Sequence, residues 1–204
     1  MLFLSGLLIS VVSVFGFVKF ILRNPTRVTP KQDAIISPAD GKIITAHRYT
    51  GKQLLLYKGN KSYKGSIKTL TSGVANEGYV VSIFMNIFNV HYNRIPYSGT
   101  VMRVTHSSGA YMPANSINAS FQNEKTETII ASKSMTIKVV QVAGFLARRI
   151  ETYVKRSDHV KTGQILGRIN FGSQVTLILP ANIKLEVKPG DKVKAGESII
   201  AYPR

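Results

Sequence analysis

Three short segments of the chain combine residue types that carry nucleophilic and proton-transfer chemistry. They are Ile36-Ser37-Pro38-Ala39-Asp40-Gly41-Lys42, Phe84-Met85-Asn86-Ile87-Phe88-Asn89-Val90-His91-Tyr92-Asn93-Arg94-Ile95-Pro96 and Ile169-Asn170-Phe171-Gly172-Ser173-Gln174-Val175. Asp40 offers a carboxylate, His91 a base that titrates near neutral pH, and Ser173 a hydroxyl nucleophile. Taken one at a time, each segment is also typical of an ordinary structural feature. The first would be a turn, the second would contain a core histidine, and the third would be a hairpin or bulge.

In this order the three segments resemble the phosphatidylserine decarboxylase family in its short proenzyme form. Further matches are Phe20–Arg27, Gln141–Ile150 and Val160–Gly163, so the resemblance covers nearly the whole chain from about Phe20 onward.

The resemblance implies that the chain makes its own pyruvoyl cofactor. The Ser173 hydroxyl attacks the preceding carbonyl, the Gly172–Ser173 amide becomes an ester, and elimination and hydrolysis leave a pyruvoyl group with loss of ammonia. The products are a β chain, residues 1–172, and an α chain, residues 173–204. The pyruvoyl group then forms a Schiff base with phosphatidylserine and takes up the electrons left by carbon dioxide, giving phosphatidylethanolamine.

The resemblance also assigns roles to individual residues. Asp40 matches an acid that orients the base, and His91 matches a histidine associated with decarboxylation. Longer members carry a second histidine, associated with processing, where this chain has Arg94, so His91 either serves both steps or is helped by another group. Arg148 and Arg149 are candidates for binding the lipid phosphate, although paired arginines are more often solvated. No metal is expected.

Two departures from the family pattern bear on rate and substrate preference. Gln174-Val175-Thr176 stands where the family has Arg-Val-Asp, which removes a charge and an acid beside the bond to be cleaved. Asn123-Glu124-Lys125 stands where it has Asn-Glu-Arg, which loses a planar two-pronged donor.

The elements that position these residues are predicted to be mainly β-strands, with few short helices. Eleven runs rich in Val, Ile, Leu or Thr are bounded by turn residues: Ala34–Ile36, Lys42–Thr45, Leu54–Tyr57, Tyr79–Phe84, Gly99–Thr105, Thr128–Ala131, Met135–Val142, Gln164–Ile169, Val175–Leu179, Lys184–Val187 and Ser198–Tyr202. Ile87–Arg94 and Leu146–Ile150 are each expected to form a turn or two of helix. Asp158–Ile165 repeats as Asp191–Ser198, which is typical of the hairpins of barrel-sandwich domains such as biotinyl and lipoyl carriers.

The N-terminus predicts a membrane anchor. Met1–Val18 carries no charged side chain, and 22 residues of helix extend about 33 Å, close to the thickness of a bilayer core. Arg23 and Arg27 follow, which places the body on the cytoplasmic side of the cell membrane. The expected organisation is an anchor at 1–22, a linker at 23–33 and a decarboxylase domain at 34–204.

Composition narrows the function classes. The 204 residues include no cysteine, which excludes disulfides, thiolate metal sites and cysteine nucleophiles. The net charge of +17 predicts an anionic partner, and the anchor favours an anionic membrane over nucleic acid, for which no motif is intact. An unprocessed, non-enzymatic protein that binds anionic lipid is the alternative. The resemblance also suggests a homodimer.

Overall fold

The computed structural model describes residues 15–16, 19–50, 53–54, 69–145, 149–169 and 172–204. Within those ranges lie the short helix α1 (Ala119–Gln122), shorter helical pieces at 15–16, 19–21 and 69–71, and fifteen strands, which confirms a mainly β fold. The strands are β1 (Ile35–Ile36), β2 (Gly41–Thr50), β3 (Gln53–Leu54), β4 (Glu77–Met85), β5 (Tyr92–Arg94), β6 (Gly99–Ser107), β7 (Lys125–Ala131), β8 (Thr136–Val142), β9 (Ile150–Thr152), β10 (His159–Val160), β11 (Ile165–Ile169), β12 (Ser173–Pro180), β13 (Ile183–Leu185), β14 (Lys192–Val193) and β15 (Ile199–Pro203).

A nine-stranded antiparallel sheet forms the centre of the molecule. Its order is β10-β6-β7-β8-β12-β4-β2-β14, with β3 paired to β2. Two three-stranded sheets, β1-β15-β13 and β5-β11-β9, lie beside it. Because β12 is hydrogen-bonded on one side to β4 and on the other to β8, its backbone is fixed along its length.

Apolar residues cover both faces of the central sheet, since successive side chains of a strand point to opposite faces. Val175, Leu177 and Leu179 of β12 join one hydrophobic cluster, whereas Ile178 joins a second cluster with Val140. All eight residues of β12 are buried as a result.

All eleven predicted strands overlap observed ones; Leu54–Tyr57 does so at Leu54, and its residues 55–57 lie outside the described ranges. The helix predicted at Ile87–Arg94 is wrong, because β5 begins at Tyr92. Asparagine side chains cap the preceding turn instead: Asn86 N–H donates to Asn89 Oδ1, and Phe88 N–H donates to Asn86 Oδ1, each at 2.9 Å. In the helix predicted at Leu146–Ile150, residues 146–148 lie outside the described ranges and Ile150 begins a strand.

The 33-residue repeat forms two equivalent turns. Asp158 Oδ2 accepts a hydrogen bond from Lys155 N–H, and Asp191 Oδ2 accepts one from Lys188 N–H, both at 2.9 Å. Five residues after each aspartate, Gly163 and Gly196 adopt left-handed backbone conformations with φ of 83° and 80°. The shared Asp and Gly positions therefore specify the same turn twice.

Most of the predicted membrane anchor, residues 1–14 and 17–18, lies outside the described residues. In the part of the chain that the structure describes, no helix combines the length and the apolar character needed to cross a bilayer.

Candidate active site

Ser173 begins β12 at the centre of the large sheet. Its backbone lies opposite Met85 of β4, and its side chain is fully buried. The hydroxyl donates to the Met85 sulfur over 3.6 Å. The predicted nucleophile is therefore shielded from water and fixed between two strands.

Gly172, which supplies the carbonyl of the bond predicted to be cleaved, has a left-handed backbone with φ of 59°. Glycine adopts this conformation without a steric penalty, unlike residues that carry a Cβ. Gln174 pairs with Val142, and the same antiparallel register places Gly172 across from Gly144. A Cβ on Gly144 would come within 1.6 Å of the Gly172 carbonyl oxygen. The carbonyl that Ser173 would attack is therefore packed directly on Gly144.

Asn123 holds the backbone that leads into Gly144. Its Nδ2 donates to the carbonyl oxygens of Ala143 and Met112, each at 2.7 Å. Lys125, where the family has arginine, donates to the Ser120 carbonyl at 2.9 Å. The Asn123-Glu124-Lys125 segment thus stabilises the backbone next to Gly144 and at Ser120.

The neutral pair Gln174 and Thr176 completes a buried hydrogen-bond network. In the amide orientation that satisfies its neighbours, Gln174 Nε2 donates to the carbonyl oxygens of Ala114 and Ser116 at 3.0 and 2.8 Å. Its Oε1 accepts from Thr176 Oγ1 at 2.8 Å and from Ser120 Oγ at 2.6 Å. The departure from Arg-Val-Asp therefore replaces both charged positions with two neutral groups that satisfy each other, and leaves Ser173 in place.

His91 lies just before β5 and is buried. Its backbone carbonyl accepts a hydrogen bond from Ile169 N–H at 3.2 Å, which ties it to the end of the strand that leads toward Ser173. Burial and, second, the positive charge of Arg23 lower the pKa of His91, against a backbone hydrogen bond to Asn89 and the charge of Asp40, which raise it. The imidazole is therefore kept neutral, as a general base requires.

Asp40 is held by an ion pair that the sequence did not reveal. Arg27 Nη2 lies 2.9 Å from both carboxylate oxygens of Asp40, and Ala195 N–H donates to Oδ1 at 2.8 Å. A second contact joins Arg27 Nη1 to Glu197 Oε2 at 3.4 Å. Asp40 is close enough to His91 for its charge to raise the histidine pKa, while its carboxylate oxygens are engaged by Arg27 and Ala195.

Arg94 occupies the position of the second family histidine, but its guanidinium binds backbone and an amide rather than a base. It donates to the Gly163 carbonyl and to Asn24 Oδ1 at 2.9 Å, and to the Pro25 carbonyl at 3.2 Å. Arg94 therefore fastens residues 24–25 to the body of the domain.

Residues 23–29, which we call the strap, lie against the domain next to the site. Arg23 donates to the Phe88 carbonyl at 2.7 Å, in the turn that precedes His91. Arg27 pairs with Asp40, and a Cβ on Gly163 would lie 2.3 Å from Thr29 Oγ1. The segment predicted as a linker thus contacts two of the three motifs.

The predicted phosphate ligands are not both described. Arg148 lies outside the described residues, and Arg149 is exposed. Within the described ranges no cluster of three His, Cys, Asp or Glu side chains could hold a metal ion.

Four residues at the site were missed as functional from sequence: Arg27, Met85, Gly144 and Asn93, whose Nδ2 donates to Met85 Sδ over 3.7 Å. All four stand in segments that match the family, and Arg27 alone among them carries a charge that could have indicated a role. The other three owe their positions to strand pairing between residues far apart in the chain.

Comparison with known proteins adds an independent finding. Residues 14–201 match the family model described as phosphatidylserine decarboxylase. The chain is similar to the phosphatidylserine decarboxylase proenzyme of Syntrophus aciditrophicus, with 40% identity over 184 residues, covering 89% of this chain and 78% of the relative. It is also similar to that of Geotalea uraniireducens, with 39% identity over 186 residues, covering 90% and 78%. A relative from Methanocaldococcus jannaschii named "Putative archaetidylserine decarboxylase proenzyme" is 36% identical over 197 residues, covering 96% and 94%.

Proposed function

We propose that this chain, which belongs to the phosphatidylserine decarboxylase family, is a proenzyme that cleaves itself at Gly172–Ser173 and then decarboxylates phosphatidylserine. One observation carries the proposal. A fully buried serine follows a left-handed glycine whose carbonyl oxygen is packed on a second glycine. This arrangement holds the carbonyl of one residue and the hydroxyl of the next in fixed backbone, with the hydroxyl shielded from water.

Self-cleavage uses the chain's own atoms. Ser173 Oγ bonds to the Gly172 carbonyl carbon, the C–N bond breaks, and the hydroxyl proton passes through His91 to the leaving nitrogen of Ser173. Removal of the Cα proton of residue 173 then breaks its Cβ–Oγ bond, so that Oγ leaves within the Gly172 carboxylate. Water hydrolyses the remaining enamine, ammonia departs, and residue 173 becomes a pyruvoyl group.

The site fits a pyruvoyl group at position 173. The group is smaller than serine plus its peptide bond, it remains attached to β12, and β4 and β8 continue to fix that strand. When formed, it supplies a carbonyl electron sink for the carbanion left by carbon dioxide. His91 is the residue that we assign to return a proton to that carbon, because it is a buried imidazole whose backbone is tied to the end of the strand that leads toward Ser173.

We propose that the domain works at the cytoplasmic face of the cell membrane, held by the apolar segment Met1–Val18. Large apolar side chains lie exposed where the strap begins, namely Phe20, Leu22 and Phe88. Arg23 links two of them, since its guanidinium stacks 3.8 Å from the Phe20 ring and donates to the Phe88 carbonyl. A basic residue among aromatic side chains suits the boundary between lipid and water.

Two lipid backbones are compatible with the proposed reaction, the diacyl backbone of phosphatidylserine and the ether backbone of archaetidylserine. Both carry a phosphoserine headgroup, but the Methanocaldococcus relative, 94% of whose length is covered, is named for archaetidylserine. The barrel-sandwich interpretation of the 33-residue repeat and the homodimer also remain predictions; the two equivalent turns support the former.

The test is carbon dioxide release from vesicles. Purified full-length chain is mixed with vesicles that contain serine phospholipid labelled in the serine carboxyl carbon, on a diacyl or an archaeal ether backbone. We expect labelled carbon dioxide and an ethanolamine lipid, and no product from the Ser173→Ala variant. Vesicle binding without any product on either backbone would favour the non-enzymatic lipid-binding alternative.

A further inference from the structure

A line of buried polar side chains ends at Ser173. Thr152 Oγ1 donates to Gln141 Oε1, and Gln141 Nε2 donates to Asn93 Oδ1, each at 2.9 Å. Asn93 Nδ2 then donates to Met85 Sδ over 3.7 Å, the same sulfur that accepts the Ser173 hydroxyl over 3.6 Å. The line crosses from β9 through β8 and β5 to β4 and β12.

The direction of every donor in this line is fixed. The Thr152 hydroxyl occupies the Gln141 oxygen, so the Gln141 nitrogen faces Asn93. The Asn93 oxygen is occupied in turn, so its nitrogen faces Met85. Gln141, Asn93 and Met85 are completely buried, where an unsatisfied polar group is costly. Two hydrogen-bond donors therefore converge on one thioether.

A thioether is an unusual terminus for such a line, because sulfur is only a weak acceptor. It also cannot take a proton from a serine hydroxyl at any ordinary pH. The Ser173 proton therefore stays on Ser173 while the hydroxyl rests on Met85, and cleavage requires that the hydroxyl exchange the sulfur for a base.

We propose that Met85 sets the rate of self-cleavage by holding the nucleophile at rest: its sulfur, contacted by Asn93 as well, accepts the Ser173 hydroxyl, and cleavage begins only when the hydroxyl leaves this weak acceptor. This acceptor exists only after β4 has paired with β12. The inference rests on the proposed self-cleavage and adds the residue that sets its rate.

Two substitutions of similar volume test the proposal because they move the rate in opposite directions. Met85→Leu removes the acceptor, so the hydroxyl leaves its resting position more easily and cleavage runs about two- to fivefold faster. Met85→Gln supplies a strong carbonyl acceptor to the same two donors, and cleavage slows by about tenfold. A side chain that acts only by packing would slow cleavage in both variants or in neither.

Met135 offers a matched control. It lies in the same hydrophobic cluster as Met85 and is also buried. The two methionines differ in that the Ser173 hydroxyl donates to the sulfur of Met85. Met135→Leu should lower the melting temperature about as much as Met85→Leu and leave the cleavage rate unchanged.

The measurement is a time course of full-length chain made in a cell-free reaction, with the intact and cleaved forms separated by gel and identified by mass. Equal rates for wild type, Met85→Leu and Met85→Gln would overturn the role of Met85 while leaving self-cleavage intact. A wild-type chain that never cleaves would overturn the proposed function and this inference together. The opposite changes in rate would support both.

Discussion

Replacing Arg27 by methionine should destabilise the protein more than the same replacement of an exposed charged residue. Arg27 Nη2 lies 2.9 Å from both carboxylate oxygens of Asp40, and the two side chains are only 8% and 12% exposed. Methionine keeps most of the packing volume but leaves the Asp40 carboxylate buried beside Ala195 without its cation.

The expected loss follows from that burial. Removing one partner of a buried ion pair costs about 3–5 kcal/mol, because the remaining charge stays desolvated. In a chain of about 200 residues each kcal/mol lowers the melting temperature by about 2–4 °C, so Arg27→Met should lower it by about 6–20 °C. The surface pair Arg48–Glu77 provides the matched control, since its side chains are 53% and 50% exposed. Arg48→Met should cost less than about 1 kcal/mol.

Thermal unfolding by calorimetry, with both substitutions made in the Ser173→Ala background, compares intact single chains in the same detergent. The same pair is then made with Ser173 present, and self-cleavage is followed over time. We expect Arg27→Met to slow cleavage as well, because Asp40 loses its fixed position. Equal melting temperatures for Arg27→Met and Arg48→Met would refute the claim that the strap is docked on Asp40.

Three further predictions concern the site. Gly144→Ala should slow self-cleavage by at least about 100-fold, because its Cβ displaces the Gly172 carbonyl oxygen; cleavage at the normal rate on a gel time course would contradict that packing. Burial and, second, the charge of Arg23 lower the pKa of His91 below its ordinary 6.5, so the cleavage rate should stay level down to about that pH and fall only below it. Stability should be lost over the same acid range, because the buried imidazole is then forced to take a proton. Arg23→Gln should move the midpoint of the pH–rate profile upward, and an unmoved midpoint would remove Arg23 as a cause. Gln174→Arg alone should lower the melting temperature more than Gln174→Arg combined with Thr176→Asp, since the added carboxylate pairs with the buried guanidinium; equal losses would show that the two positions are not coupled.

Runs rich in Val, Ile, Leu or Thr between turn residues were enough to predict the long strands. β4, β8 and β12 are rich in Val and Ile and lie in the core. Four short strands, β5, β9, β10 and β14, were not predictable in this way, because their pairing depends on distant partners. In β5, Asn93 is fully buried among polar contacts that only the folded chain brings together, and the sequence around it was predicted to be helical instead.

The candidate site also contains residues that the sequence indicates and residues that only the folded structure indicates. Asp40, His91, Gly172 and Ser173 stand in motifs whose residue types suggest their chemistry. Gly144 has no chemical group to suggest a role, and its importance comes from the register that places it against Gly172.

Arg94 shows a different limit of sequence reasoning. Alignment placed Arg94 where longer family members carry a histidine associated with processing, whereas the folded chain uses its guanidinium to bind Asn24, Pro25 and Gly163. The position in a motif was informative, but the contacts that decide its role come from segments about 70 residues away on either side.

The most direct test of self-processing is the intact mass of the purified chain, with a ketone-reactive hydrazine added to a parallel sample. We predict two fragments, residues 1–172 and 173–204, with the hydrazine attached only to the second. A single unlabelled species of full mass would contradict self-cleavage at Gly172–Ser173.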